Sequence, residues 1–197
     1  MSKKTLLVVD CCIRGAALSR TYRLYQMFLQ ALGNRYEVQT ITLAEEDLQP
    51  YLAMDIEKRN VLLQDGVYSD PMFRYARQFA AADRILIAAP FWENTFPSLL
   101  RVYLEQVSVT GICFGYEGDH SVGKCHAEKL MYITTVGGFV PNGHLMAVDF
   151  LQGLCCDMFG IPQVLSLAAE GLDIEGNDPE QILQDCQPKI LELAKDF

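Results

Sequence analysis

The sequence predicts an α/β fold: a three-layer sandwich in which a five-stranded parallel sheet carries helices on both faces. Short apolar segments alternate with helical segments five times along 197 residues, which is typical of parallel sheets. The central apolar run, Ile85 to Ala89, is too short for a helix and fits a strand buried on both faces. With five strands the common order is 2-1-3-4-5. We expect residues 1–197 to form a single domain.

The first elements follow from apolar periodicity and turn residues. Thr5 to Val9 predicts the first strand, followed by a loop from Asp10 to Leu18. Apolar residues at spacings of three and four then predict a helix that begins near Ser19 and ends at Gly33-Asn34. The β-rich segment from Tyr36 to Leu43 predicts a second strand.

The middle of the chain is less regular. Residues 44–69 are charged and uneven, and we expect a short helix there. Asp70-Pro71, a cap followed by a first-turn proline, predicts a helix to about Ala82. After the central strand, Thr95 is placed to cap the next helix, with Pro97 in its first turn. Gly111 to Glu128 is polar and glycine-rich, which predicts a long loop.

The C-terminal part supplies two more strands, Leu130 to Thr135 and Gln163 to Ala168. Between them Leu145 to Phe159 is expected to be helical. Asp178-Pro179 predicts the start of the final helix, in which Pro188 is expected to cause a kink.

Charge and composition narrow the classes of partner. The net charge of −9 argues against nucleic acid or an anionic membrane surface, and no apolar stretch is long enough to insert into a bilayer. Seven cysteines without regular spacing indicate reduced thiols and a cytoplasmic protein. The histidines and cysteines lack the spacing of a metal site.

Three loops are expected to converge where the first and third strands diverge, at the carboxyl edge of the sheet. They are Asp10 to Thr21, Pro90 to Asn94 and Thr135 to Phe139. In the first, Ser19 and Thr21 bring hydroxyl groups to a helix start, where free N–H groups and the helix dipole favour an anion. Taken alone, Ser19 is more readily interpreted as a simple helix cap.

The other two loops suit a flat ligand. Phe91 and Trp92 follow a buried strand, so they are expected either in the core or packed on a planar ring. Gly137-Gly138 could be an ordinary turn, but glycines also let backbone N–H groups approach a ligand closely. Together the loops predict a site for a phosphate with a heterocycle beside it. The sequence lacks a Walker P-loop and the Gly-x-Gly-x-x-Gly fingerprint.

These motifs carry a resemblance to a known family. Ser19-x-Thr21, the run Ala-Ala-Pro-Phe-Trp-Glu-Asn ending at Asn94, and Thr-Thr-Val-Gly-Gly ending at Gly138 resemble the flavodoxin-like NAD(P)H:quinone oxidoreductases. The FMN-dependent NADH azoreductases are the most similar branch, and the segment from Gly111 to Tyr116 resembles them too. The resemblance covers nearly the whole chain and implies a flavodoxin-like fold.

The resemblance also implies a cofactor, FMN, and roles for individual residues. The residues expected to bind FMN are Cys12, Ser19, Arg20, Thr21, Pro90, Phe91, Trp92, Glu93, Asn94, Thr135, Val136, Gly137 and Gly138. Tyr116, Phe139 and His144 are expected at the substrate pocket, with Tyr116 at a homodimer interface. Because the flavin carries the chemistry, no side chain is expected to be an obligate acid or base, although His144 is a candidate proton donor.

The sequence departs from the family pattern at three places. Asp10-Cys11-Cys12 replaces serine and small residues, Glu93 replaces an asparagine, and Val136 replaces a polar or basic residue. We expect these changes to bear on FMN affinity and substrate range.

The implied activity is a ping-pong transfer of hydride from NADH or NADPH to FMN and then to a quinone, azo or similar small-molecule acceptor. Two alternatives remain at this stage. One is a flavodoxin-type one-electron carrier, and the other is a flavin-free binding protein that keeps only the fold.

Overall fold

The computed structural model describes residues 3–197 and has a parallel five-stranded sheet at its centre. Its strands are Lys4–Asp10 (β1), Tyr36–Thr42 (β2), Arg84–Ala88 (β3), Lys129–Thr135 (β6) and Gln163–Ala169 (β7); a separate antiparallel hairpin is formed by Phe114–Glu117 (β4) and His120–Gly123 (β5). The sheet order is β2-β1-β3-β6-β7. Counted within the sheet, this is the predicted order 2-1-3-4-5.

Helices cover both faces of the sheet. They are Arg20–Leu32 (α1), Ala53–Gln64 (α2), Arg74–Ala81 (α3), Ser98–Val107 (α4), Met146–Leu151 (α5), Pro179–Asp185 (α6) and Gln187–Asp196 (α7). The last turn of α5 continues as a π-helix over Gln152–Met158. In the described part of the chain, no helix is both long and apolar enough to cross a bilayer.

The central strands carry unbroken apolar runs because each face of the sheet meets its own core. On β1, Leu7 and Val9 pack with α3, α4 and α5, whereas Leu6 and Val8 pack with α1 and α7. All four side chains are fully buried. Alternation between two apolar layers explains why β1 and β3 show unbroken apolar runs and no polar period.

Two local predictions are wrong. Thr95 does not cap α4: Pro97 is the N-cap and Ser98 the first helical residue, while the Thr95 hydroxyl accepts a hydrogen bond from the N–H of Phe96. The segment from Gly111 to Glu128 is not simply a loop, because it contains the β4–β5 hairpin. Its strands are only four residues each and mostly exposed, so they lack an apolar alternation.

Backbone contacts dock the hairpin on the end of the α5 segment. The N–H of Cys125 donates to the carbonyl of Phe159 at 3.2 Å. Gly123 lies so close to Gly160 that a Cβ atom on Gly123 would be 2.2 Å from the Gly160 nitrogen. Glycine is therefore required at position 123 because two backbones meet there.

Pro188 divides the C-terminal helix, as expected. The Asp178 side chain caps α6 by accepting from the N–H of Glu180 at 2.9 Å. The helix is interrupted at Cys186, and α7 begins with Pro188 in its first turn, where a proline costs no hydrogen bond.

Candidate functional site

A pocket opens at the carboxyl ends of β1, β3 and β6, where the loops that follow these strands meet. It is lined by Ile13, Arg14, Leu18, Ser19, Arg20, Thr21, Pro90, Phe91, Trp92, Thr135, Val136, Gly137, Leu172 and Asp173. The three loops predicted to converge thus do so. This is the position at which open α/β sheets bind ligands.

The loop after β1 is organised by a buried carboxylate. Asp10 is 5% exposed and accepts two hydrogen bonds, one from the N–H of Cys12 at 2.7 Å and one from the hydroxyl of Tyr25 at 2.8 Å. The first bond shapes the loop, and the second ties it to α1. The unusual Asp10-Cys11-Cys12 sequence thus builds an ordered entry into α1.

The N-terminus of α1 presents free donors to the pocket. Ser19 is its N-cap, and its hydroxyl oxygen accepts from the N–H of Tyr22 at 3.1 Å. The backbone N–H groups of Arg20 and Thr21 have no acceptor among residues 3–197. The Thr21 and Thr135 hydroxyls lie 2.6 Å apart and connect α1 to the end of β6. Free N–H groups at a helix start, with Arg14 and Arg20 beside them, suit an anion.

The loop after β3 is a tight hairpin turn. Trp92 and Thr95 exchange backbone hydrogen bonds of 3.3 and 2.9 Å, and the two residues between them, Glu93 and Asn94, both have positive φ, 48° and 66°. A turn with two positive φ values is type I′, in which asparagine and glycine are favoured. Glutamate at the first position therefore strains the backbone.

We predict that Glu93→Asn stabilises the protein by about 0.5–1 kcal/mol, because asparagine tolerates the left-handed conformation better. Urea unfolding monitored by circular dichroism measures the change. Glu117→Asn is the control, since Glu117 is an exposed strand residue without positive φ. Equal or lower stability of Glu93→Asn would show that position 93 carries no such strain.

The loop after β6 is held by the segment after β7, which leaves two amide donors free. The carbonyl of Gly137 accepts from the N–H of Asp173 at 2.8 Å, and that of Gly138 accepts from Gly171 at 2.6 Å. Among residues 3–197, the N–H groups of Gly137 and Gly138 have no acceptor. The Val136 N–H, by contrast, donates to Ala169.

Several residues expected at the site lie outside the pocket lining. These are Cys12, which is buried, the exposed Glu93, Asn94 and Gly138, and the three substrate-pocket candidates Tyr116, Phe139 and His144. Tyr116 lies on the hairpin and is 64% exposed, and Phe139 is 69% exposed. His144 pairs with Asp149, with Nε2 2.5 Å from Oδ2.

Leu172 and Asp173 line the pocket but lie outside the three loops predicted to form it, whereas Ile13 and Leu18 belong to the predicted loop from Asp10 without having been singled out. Leu172 and Asp173 follow β7, whose carboxyl end lies at the same edge of the sheet. The parallel order was a usable signal, since it brings the loop after the fifth strand to this edge as well.

The thiols near the site are not poised as nucleophiles. Burial raises the pKa of Cys11 to about 12, and burial likewise raises the pKa of Cys12. Both thiols are therefore neutral near pH 7, and neutral thiols are weak nucleophiles and weak metal ligands.

The sheet order and the pocket at its switch point define a doubly wound α/β protein with a ligand site at the carboxyl edge of the sheet. A family model described as a flavodoxin-like fold matches residues 4–193. The chain therefore belongs to this flavodoxin-like family.

Individual proteins of similar sequence support the same family assignment. The chain is 32% identical over 203 residues to FMN-dependent NADH:quinone oxidoreductase 2 of Clostridium acetobutylicum, with both chains fully covered. It is 30% identical to FMN-dependent NADH:quinone oxidoreductase of Clostridium beijerinckii, covering 98% of each.

Two solved structures share the fold. An azoreductase from Bacillus anthracis str. Sterne superposes with a TM-score of 0.82 at 22% identity, with both chains fully covered. An FMN-dependent NADH-azoreductase from Bacillus anthracis str. Ames Ancestor, in complex with FMN, superposes with a TM-score of 0.80 at 19% identity and 99% coverage of each chain.

Proposed function

We propose that this protein is an FMN-dependent NAD(P)H oxidoreductase that reduces quinone, azo or similar acceptors. The observation that carries the proposal is the pocket at the β1/β3 switch point. Its lining combines free backbone N–H groups, at the start of α1 and at Gly137, with the aromatic side chains of Phe91 and Trp92. The relatives of about 30% identity over full length, named FMN-dependent NADH:quinone oxidoreductases, support it.

The donors of the pocket support FMN as its ligand. The N–H groups of Arg20 and Thr21 and the Arg14 guanidinium suit a phosphate monoester. Gly137 in the pocket lining and the adjacent Gly138 offer further free N–H groups. An added Cβ on Gly137 would be 2.4 Å from Asp173 Oδ2, so a side chain at this position would displace the Asp173 carboxylate.

Each set of residues has a distinct task in this proposal. Ser19, Arg20 and Thr21 hold the phosphate, while Phe91 and Trp92 exclude water from one face of the ring system. When bound there, FMN would supply the hydride-transfer chemistry of a ping-pong reaction between NAD(P)H and the acceptor. The Gly137 and Gly138 N–H groups are positioned to stabilise negative charge that develops beside them.

We further propose a homodimer and a cytoplasmic location, the latter because all seven cysteines are free thiols. Leu18 and Trp92 line the pocket, and they, Tyr116 on the hairpin and Phe139 are between 43% and 69% exposed, so apolar side chains are available for a contact between subunits. In this proposal a second subunit covers the mouth of the pocket. Tyr116, Phe139 and His144 then border the space for the acceptor.

The test is a visible absorption spectrum of the purified protein after FMN has been added and unbound flavin removed. We expect a retained flavin spectrum that bleaches with NADH or NADPH under anaerobic conditions and recovers when a quinone is added. Retained flavin that neither nucleotide bleaches would instead identify an electron carrier. Loss of all flavin during removal would contradict the cofactor assignment.

A further inference from the structure

Asp173 lies in the pocket and pairs with a residue expected to bind phosphate. Its Oδ1 is 2.6 Å from Arg20 Nη1, and its Oδ2 lies against the backbone of Gly137. Among the described residues that line the pocket, Asp173 is the one with an acidic side chain. The Asp173 carboxylate thus pairs with the Arg20 guanidinium, the group that an anionic ligand would need.

The loop does not need this carboxylate for its shape. The backbone N–H of Asp173 donates to Gly137 at 2.8 Å, and a different carboxylate, that of Glu170, accepts from the N–H of Val140 at 2.7 Å. Replacing Asp173 by asparagine keeps both bonds. The side chain is also 68% exposed, so no buried group is left without a partner.

Resting on the proposed function, we infer that Asp173 sets cofactor affinity and selectivity by competing with the ligand's phosphate for Arg20. A phosphate monoester carries close to two negative charges at pH 7. A bound phosphate either shares the Arg20 guanidinium with the Asp173 carboxylate or draws the guanidinium away from that carboxylate. In both cases the presence of Asp173 lowers the free energy gained on binding the phosphate. Exposed ion pairs are weak enough to be exchanged in this way.

Neutralising Asp173 therefore strengthens the binding of ligands that carry the phosphate. We expect Asp173→Asn to bind FMN about 2–5-fold more tightly at low ionic strength, the range that an exposed ion pair can supply. Riboflavin has the same ring system without the phosphate, and its affinity should stay within about twofold. Because both charges are exposed, the gain for FMN should shrink in 0.5 M KCl.

The chain offers a matched control on the same helix. Arg23, three residues after Arg20, pairs with Glu180, and the two side chains are 44% and 56% exposed. Glu180 does not line the pocket. Glu180→Gln removes one negative charge from the same side of α1, so it reports the effect of net charge alone and should leave FMN affinity unchanged.

The experiment is a fluorescence titration of the apoprotein with FMN and with riboflavin, at low and high salt, for the wild type, Asp173→Asn, Glu180→Gln, Arg20→Gln and the double variant Arg20→Gln/Asp173→Asn. In the Arg20→Gln background, Asp173→Asn should lose most of its effect, because the contested guanidinium is gone. Thermal unfolding of each apoprotein confirms that it is folded.

Three results would overturn the inference: an unchanged or weaker FMN affinity of Asp173→Asn, an equal change for riboflavin, or a full gain retained without Arg20. These differ from failure of the proposed function, in which the wild type itself binds no FMN.

Discussion

Gly123→Ala is expected to destabilise the protein by about 3 kcal/mol or more. The added Cβ would lie 2.2 Å from both the Gly160 nitrogen and the Phe159 carbonyl carbon. Both are backbone atoms, and a side-chain rotation cannot relieve the clash. Overpacking a well-packed contact usually costs 1–3 kcal/mol, and here the hydrogen bond between Cys125 and Phe159 is also disturbed. Urea unfolding of the apoprotein measures the loss.

The neighbouring Gly153 provides the matched control. It lies in the π-helical segment, and an added Cβ there meets nothing within 4 Å. Gly153→Ala is expected to be neutral or slightly stabilising, since alanine loses less backbone entropy in a helix. A Gly123→Ala variant that unfolds at the same urea concentration as Gly153→Ala would contradict the close approach of the two backbones.

The contrast between these glycines shows which features of the fold can be predicted from the sequence and which cannot. Buried parallel strands can be predicted from apolar runs such as Ile85 to Ala89, and the sheet order follows from the general topology of such folds. The hairpin was missed because it is held by a backbone contact between Gly123 and Gly160. No apolar pattern on its own strands reveals such a contact.

Some features of the site could likewise be predicted from the sequence, and others could not. The helix start at Ser19 and the glycine pair at Gly137 could be predicted, because each follows a strand whose carboxyl end faces the pocket. Which atoms remain free could not be predicted. The Gly137 N–H is available only because its carbonyl, not its N–H, pairs with the segment after β7. The same pairing, between two loops that are distant in sequence, brings Asp173 into the site.

Asp10 shows how a departure from the family pattern can be built into the site, and its removal should affect folding and ligand binding together. Asp10→Ala leaves the Cys12 N–H and the Tyr25 hydroxyl without their buried acceptor. Unsatisfied buried donors cost 1–3 kcal/mol each, and part of this is offset because a buried charge is also removed. We expect a loss of about 2–4 kcal/mol in the free energy of unfolding.

The same substitution should weaken FMN binding at least tenfold, because the Asp10 carboxylate connects the loop before α1 to the helix whose N-terminus is proposed to hold the phosphate. Tyr25→Phe is the control: it keeps the Cys12 bond and leaves one Asp10 oxygen without its donor, so it should cost about 1–2 kcal/mol, less than Asp10→Ala. Urea unfolding of the apoproteins and FMN titration by fluorescence quenching separate the two effects. If Asp10→Ala binds FMN as tightly as Tyr25→Phe does, the loop before α1 is not positioned by Asp10, and the free N–H groups of α1 suffice without it.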